Sequence, residues 1–286
     1  MTSSAPRIAV TGATGRLGGR VARRLAAAGV RQRLVVRDPA RLPDLDDAEV
    51  ARAAYADRDA VVRALAGVET VLMVSGAEAP DRIDQHRTFV DAAVAAGVRH
   101  LVYVSFCGAA PDATFTLARD HWATEEHIRA SGLAATMLRD NLYIDFFPLL
   151  TGDDGVIRGP AGTGRVAAVA QDDIADVAVA VLRRPEAHVG AVYELTGPEA
   201  LTLAEVAARL TRATGRLIRY EPESLAEAYA SRARFGAPDW QVDAWVSTYT
   251  AIAAGELARV SDAVERVAGH RPMTLDDYLR RIPRPG

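Results

Sequence analysis

The chain has 286 residues, of which 49% are hydrophobic and 25% charged, and a formal net charge of −3, enough for one large core or a main domain with a smaller lobe. The scattered charges form no basic stripe, so electrostatics gives no support to nucleic-acid binding. No apolar run approaches the ~18 residues of a transmembrane span, and the one cysteine, Cys107, excludes an internal disulfide. All 34 lysine-or-arginine positions are arginine, so the chain has no lysine. The opening MTSSAPR lacks a hydrophobic signal segment, which points to a cytoplasmic protein.

Residues 8–18, IAVTGATGRLG, read as a strand, a tight turn and the start of a helix that runs to Gly29. Gly12 permits the turn, Gly15 lets backbone N–H groups approach a pyrophosphate, and Gly18 lets the helix pack on the strand. Gly12, Thr14, Gly15, Arg16, Leu17 and Gly18 are therefore expected cofactor contacts of a dinucleotide loop.

Arg33 to Arg37 read as a second strand, closed by Asp38-Pro39 before a helical turn at Arg41. The tip of this strand faces the adenosine ribose in a dinucleotide fold. Arg37 and Arg41 would pair with a 2′-phosphate, which favours NADP(H) over NAD(H). In the alternative, Asp38 holds the ribose and Arg37 is a solvated surface group.

Strands at 50–55, 69–75 and 100–105 alternate with helices at 57–67 and 83–96. A helix at 117–130 and a sixth strand at 134–139 follow. This alternation predicts a doubly wound parallel α/β sheet, Rossmann-like. Ligands of such sheets lie beyond the carboxyl ends of the strands, which nominates Tyr55, Ala56, Asp57, Ser75, Gly76, Ser105 and Phe106.

Residues 152–165 are glycine-rich and read as loop and turn, with a short extended piece at 166–169. A helix at 172–183 and a seventh strand at 191–197 follow, and the spacing of Thr202 to Glu205 fits a capping box. The expected organisation is a dinucleotide-binding domain over 1–197, with a substrate-facing loop near 140–165, and a small, mostly helical lobe over 198–286.

Several stretches together resemble the NmrA-like branch of the atypical short-chain dehydrogenases, and within it the type 2 NAD(P)H:quinone oxidoreductases. They are TGATGRLG at 11–18, VVRDPAR at 35–41, AYAD at 54–57, QHRTFVDAAVAAGV at 85–98, HWATEEHIRASGL at 121–133, LRDNLY at 138–143, GPAGTGRVAAVAQDDIADVA at 159–178 and VYELTG at 192–197. The likeness spans about residues 7–220 and fades beyond. Ala54 and Ala56 stand where relatives usually carry an acid and a glycine, so the adenine pocket is expected to differ. The resemblance implies that Asn141 and Tyr143, after the sixth strand, face the acceptor, with Phe146 and Phe147 as stacking walls.

Typical short-chain dehydrogenases protonate a carbonyl with a tyrosine assisted by a lysine four residues on. With no lysine in the chain that system is unavailable, and a lysine Schiff base is excluded as well. The corresponding helix offers His121 and Glu125, which are either a proton-relay pair or an ordinary helix-surface pair. Gln85 either contacts the nicotinamide or acceptor, or caps its own helix; Cys107 reads as a small buried hydrophobe. The catalytic candidates are thus Tyr143, His121, Asn141 and Gln85, and the histidines show no metal-ligand spacing.

A quinone relaxes the need for an acid, because its conjugated carbonyl accepts hydride and the product can take its second proton from water. The leading expectation is an NADPH-dependent oxidoreductase acting on a small-molecule quinone or aromatic carbonyl. The alternatives are a non-catalytic NADP-sensing regulator and a tailoring reductase or isomerase of secondary metabolism. The Arg/Ala-rich composition suggests a GC-rich bacterial source, and a homodimer is the assembly expected beyond the monomer.

Overall fold

In the computed structural model, which describes residues 7–42, 45 and 48–282, the alternation appears as β1 (Ile8–Thr11), α1 (Arg16–Ala27), β2 (Gln32–Val36), β3 (Ala48–Arg52), α2 (Arg58–Leu65), β4 (Thr70–Val74), α3 (Arg82–Ala95), β5 (His100–Phe106), α4 (Thr116–Ala130) and β6 (Ala134–Asp140). After these come β7 (Val156–Gly159), β8 (Arg165–Val166), α5 (Gln171–Arg183) and β9 (Val192–Leu195). Seven strands form one sheet in the order β3-β2-β1-β4-β5-β6-β9. The ladders from β3 through β5 are all parallel. Strand order reverses between β1 and β4, the switch point at which open sheets of this kind form their ligand crevice.

Contacts divide the chain into two compact units. The first comprises Met1–Phe106, Asp120–Arg139 and Gln171–Tyr193; the second comprises Cys107–Arg119, Asp140–Ala170 and Glu194–Gly286. The stretch 140–165 and the residues beyond 198 thus fall in the same unit.

In the first unit the unbroken apolar runs of β4 and β5 are buried, as strands covered on both faces require. Val71, Met73, Phe89, Leu101, Tyr103 and Ile128 form the centre of its core. Helix α1 turns Leu17, Val21 and Leu25 inward at four-residue spacing. Each fully buried aliphatic side chain contributes about 1.5–3 kcal/mol. From the partly exposed flank of α1, Arg20 and Arg24 reach Asp172 on α5 at 3.1 and 2.7 Å. At that exposure such pairs contribute ~1 kcal/mol or less each.

The second unit holds β10 (Leu201–Thr202), α6 (Leu203–Thr214), β11 (Arg219–Pro222), α7 (Leu225–Arg232), α8 (Asp239–Ala253), α9 (Ala263–Ala268) and α10 (Leu275–Arg281). The expected capping box forms: Glu205 N donates to Thr202 Oγ1 at 3.1 Å, and Thr202 N donates to Glu205 at 2.9 Å. The same device opens α7 at Ser224 and α10 at Thr274. The glycine-rich stretch read as loop contains β7, which pairs in parallel with β11, while β8 pairs antiparallel with β10. Gly159 in β7 has no side chain because Tyr249 lies where a Cβ would be. Among the described residues, no helix is long and apolar enough to cross a membrane.

Candidate active site

The glycine loop joins β1 to α1 at the switch point. Gly12 turns at φ 66°, and its carbonyl accepts from Gly15 N at 2.8 Å. A Cβ on Gly18 would lie 2.7 Å from Thr11 O, so the helix can approach the strand only with glycine there. Gly15, by contrast, has an ordinary extended conformation and is exposed, and a Cβ there would stand 3.2 Å from Gly12 O. Gly15 is the N-cap of α1, with no side-chain cap and no acidic residue in the first turn. This leaves backbone donors and the positive end of the helix dipole open to an anion. Thr14 is half-buried beside the loop, Arg16 exposed and Leu17 buried.

At the tip of β2, Asp38 turns its carboxylate onto Ala40 N at 3.1 Å, capping a short 3₁₀ turn over Pro39–Arg41. Among the described residues no carboxylate pairs with the guanidinium of Arg37 or Arg41. The arrangement therefore offers two cations and an occupied acid at the end of this strand.

Past β3, the Tyr55 hydroxyl is not open to a ligand. Val74 N donates to Thr11 Oγ1 at 2.9 Å, Tyr55 donates to Val74 O at 2.7 Å, and the Thr11 hydroxyl donates to Tyr55 Oη. This closed ring satisfies the backbone N–H and C=O of Val74 where β4 outruns β1. Burial pushes the phenol of Tyr55 upward, so it is neutral at all working pH values. Asp57 caps α2 through Ala60 N at 3.0 Å, and Ala56 beside it is exposed.

Behind the ends of β4 and β5 lies a buried polar cluster. His86 Nε2 accepts from Gly76 N at 2.8 Å, and its Nδ1 lies 3.0 Å from Thr124 Oγ1. Arg82 donates to Gly76 O at 3.0 Å, to Asp120 at 3.3 Å and to His121 Nε2 at 3.0 Å. His121 Nδ1 in turn meets the Tyr103 hydroxyl at 2.9 Å. Burial, reinforced by Arg82, lowers the pKa of His86 to about 3. The same causes take His121 well below its ordinary value. Burial raises the Asp120 carboxyl against the pull of Arg82.

His121 and Glu125 form neither a relay pair nor a helix-surface pair: both are buried, and each has its own partners. Glu125 is fully buried, accepts from Ser105 Oγ at 2.6 Å, and is held by Arg139 at 2.7 Å and Arg129 at 2.8 Å. One helical turn therefore separates two sets of hydrogen-bond partners, Arg82 and Tyr103 for His121, and Ser105, Arg129 and Arg139 for Glu125. The nominated Ser105 is fully buried and committed to Glu125, while Phe106 is buried with its ring 6.1 Å from that of His121. Ser75 is half-buried at the end of β4. Gln85 donates to the Asp81 carboxylate at 2.8 Å in an exposed side-chain pair, and the N-cap of α3 makes no side-chain cap bond.

The other two catalytic candidates belong to the second unit. Asn141 is 1% exposed, donates to Leu257 O at 3.0 Å and accepts from Leu142 N at 2.8 Å, so both ends of its amide serve the fold. The Tyr143 hydroxyl donates to Asp140 at 2.7 Å, and its half-buried ring packs 5.3 Å from Phe146. Of the two expected stacking walls, Phe146 is exposed and Phe147 is buried, which removes the latter. Cys107 is buried, as a small hydrophobe would be.

Arg82, His86, Tyr103 and Thr124 had no place among the sequence candidates. The available signal was the spacing of Arg82, His86 and Phe89, which puts all three on one face of α3.

The NmrA-like family matches residues 4–237. Quinone oxidoreductase 2 of Escherichia coli is 34% identical, with 96% of this chain and 98% of that protein covered. The NAD(P)H azoreductase of Xenophilus azovorans is 32% identical, with 96% of each covered. The crystal structure of the E. coli quinone oxidoreductase complexed with NADPH superposes with a TM-score of 0.87 over 96% of this chain and 98% of that one, at 34% identity. The chain belongs to the NmrA-like family.

Proposed function

We propose that this member of the NmrA-like family is an NADPH-dependent oxidoreductase that reduces a quinone or a similar conjugated carbonyl. The observation that carries this reading is the pairing of an uncapped α1 N-terminus behind Gly15 with the Arg37 and Arg41 guanidinium groups, beside an Asp38 already used as a cap. The first suits a pyrophosphate and the second a 2′-phosphate. The likeness to a quinone oxidoreductase and an azoreductase, both above 30% identity, supports the same class.

Bound NADPH supplies the hydride. The chain's own share is to bind and orient, because His121 is neutral and enclosed, Ser105 is committed to Glu125, and no lysine exists to assist an acid. An acceptor whose reduced form takes its proton from water fits such a site, and a simple ketone does not. Titration of the purified chain with NADPH and NADH tests the cofactor half. NADPH should bind more tightly by about tenfold or more, the scale of one charge-assisted contact, and equal affinities would remove the Arg37 assignment.

A further inference from the structure

One residue at the switch point, Gly76, is gripped through the peptide units on both sides of it. The N–H of Gly76 donates to His86 Nε2 at 2.8 Å, and its carbonyl accepts from Arg82 Nε at 3.0 Å. Both side chains come from one face of α3, one turn apart, and both are buried. They are anchored on α4 in turn, His86 through Thr124 and Arg82 through Asp120 and His121. Because Nε2 of His86 accepts a backbone N–H, its proton sits on Nδ1 and is donated to Thr124, so one tautomer satisfies both ends. A Cβ at Gly76 would lie 3.2 Å from that Nε2, so loop and ring are already in contact.

Surface loops ordinarily leave such backbone groups to water. Here a histidine with no exposed area and an arginine 5% exposed hold the two backbone polar groups of a single residue. Gly76 is two residues past β4, beside β1 in the sheet. A dinucleotide with its pyrophosphate at α1 and its adenosine ribose at the tip of β2 extends its other half toward β4 and β5.

We infer that His86 and Arg82 are positioning residues, which fix the Gly76 backbone against the nicotinamide half of the dinucleotide; this rests on the NADPH site proposed above. His86→Phe keeps a ring but removes the acceptor, whereas His86→Gln places an amide oxygen near the Nε2 position. Each variant and the wild type are titrated with NADPH and, separately, with adenosine 2′,5′-bisphosphate, which carries the adenosine half alone. His86→Phe should weaken NADPH binding about tenfold or more, and His86→Gln should recover it to within about threefold of wild type, as expected for loss and return of one hydrogen bond to a held peptide. All three should bind the bisphosphate alike. Equal weakening of both ligands would signal general damage and overturn the inference, as would unaltered NADPH binding by His86→Phe. His86→Asn, which can still donate toward Thr124 but is too short to reach Gly76, carries the same comparison if the phenylalanine variant does not fold. If the wild type binds neither ligand, the NADPH reading itself fails and the inference falls with it; wild-type binding of both isolates the failure to His86.

Discussion

The guanidinium of Arg82 stands 3.0 Å from Nε2 of His121. A guanidinium only donates, so His121 accepts there, carries its proton on Nδ1 and gives it to Tyr103. The imidazole is neutral and both its nitrogens are engaged. It is therefore not the acid that the sequence offered in place of tyrosine. His121→Gln should introduce no new break in the pH profile of kcat/KM for quinone reduction between pH 6 and 8. A break near pH 6.5 in the wild type that the variant loses would restore the relay.

Stability, unlike turnover, should respond to acid. His86, with its pKa lowered to about 3, stays neutral in the folded chain, while the unfolded chain takes up a proton below its ordinary value. Stability is then fully present above about pH 6.5 and falls by about 1.4 kcal/mol per pH unit below it for each such histidine. His121 is shifted in the same direction. Urea midpoints measured from pH 7.5 down to pH 5 should fall steadily, and His86→Gln should flatten the slope. A midpoint independent of pH in that window would mean that the buried cluster opens or titrates normally.

Two glycines of one loop should separate ligand from fold. A Cβ at Gly15 meets Gly12 O at 3.2 Å, so Gly15→Val should fold and lose the dinucleotide, whose pyrophosphate is proposed to occupy that space. Gly18→Ala presses on the Thr11 and Gly12 backbone and should lower stability by about 1–3 kcal/mol or more, the scale of overpacking. Thermal unfolding and NADPH titration of both variants decide this. If Gly15→Val binds normally, the loop is only a turn.

The strands and helices of the parallel sheet were legible because each carries a local signal: apolar runs for β4 and β5, glycine stops, and a capping spacing at Thr202. The pairing of Val156–Gly159 with Arg219–Pro222 was not, since a short glycine-bearing strand is specified by a partner some sixty residues away rather than by its own composition. The glycine loop and the Arg37 tip were read from type and spacing. The roles of Asn141 and Ser105 were misjudged for one physical reason: a polar residue at a strand's carboxyl end looks the same in sequence whether it faces a ligand or satisfies a buried group. Asn141 satisfies Leu257 and Leu142, and Ser105 satisfies Glu125. The polar face of α3 was hidden for the converse reason, since Arg82 and His86 read as solvent-facing until their buried partners are known.

Arg37 gives the cofactor preference a direct handle. Arg37→Asp places a carboxylate where the 2′-phosphate is proposed to lie and should weaken NADPH binding by about 1–3 kcal/mol while sparing NADH. Parallel fluorescence titrations check this, and equal losses for both cofactors would point to damage at the strand tip instead.

Tyr143 is proposed to face the acceptor. Its hydroxyl is held by Asp140 and its ring lies against Phe146, so its orientation is fixed before any ligand arrives. Tyr143→Ala should lower kcat/KM for quinones by roughly tenfold, about 1–2 kcal/mol of aromatic contact and orientation. NADPH affinity should stay nearly unchanged. An unaltered kcat/KM would remove this ring from acceptor binding.

We propose that the chain transfers hydride from NADPH to a conjugated acceptor without a protein acid. Stopped-flow mixing of the NADPH-loaded protein with a panel of quinones and of simple ketones, followed by the nicotinamide absorbance, tests it most directly. Quinones should oxidise bound NADPH rapidly, and simple ketones should oxidise little of it. NADPH that binds yet survives every quinone and enone would contradict the proposal, and would make the chain a cofactor-sensing protein instead.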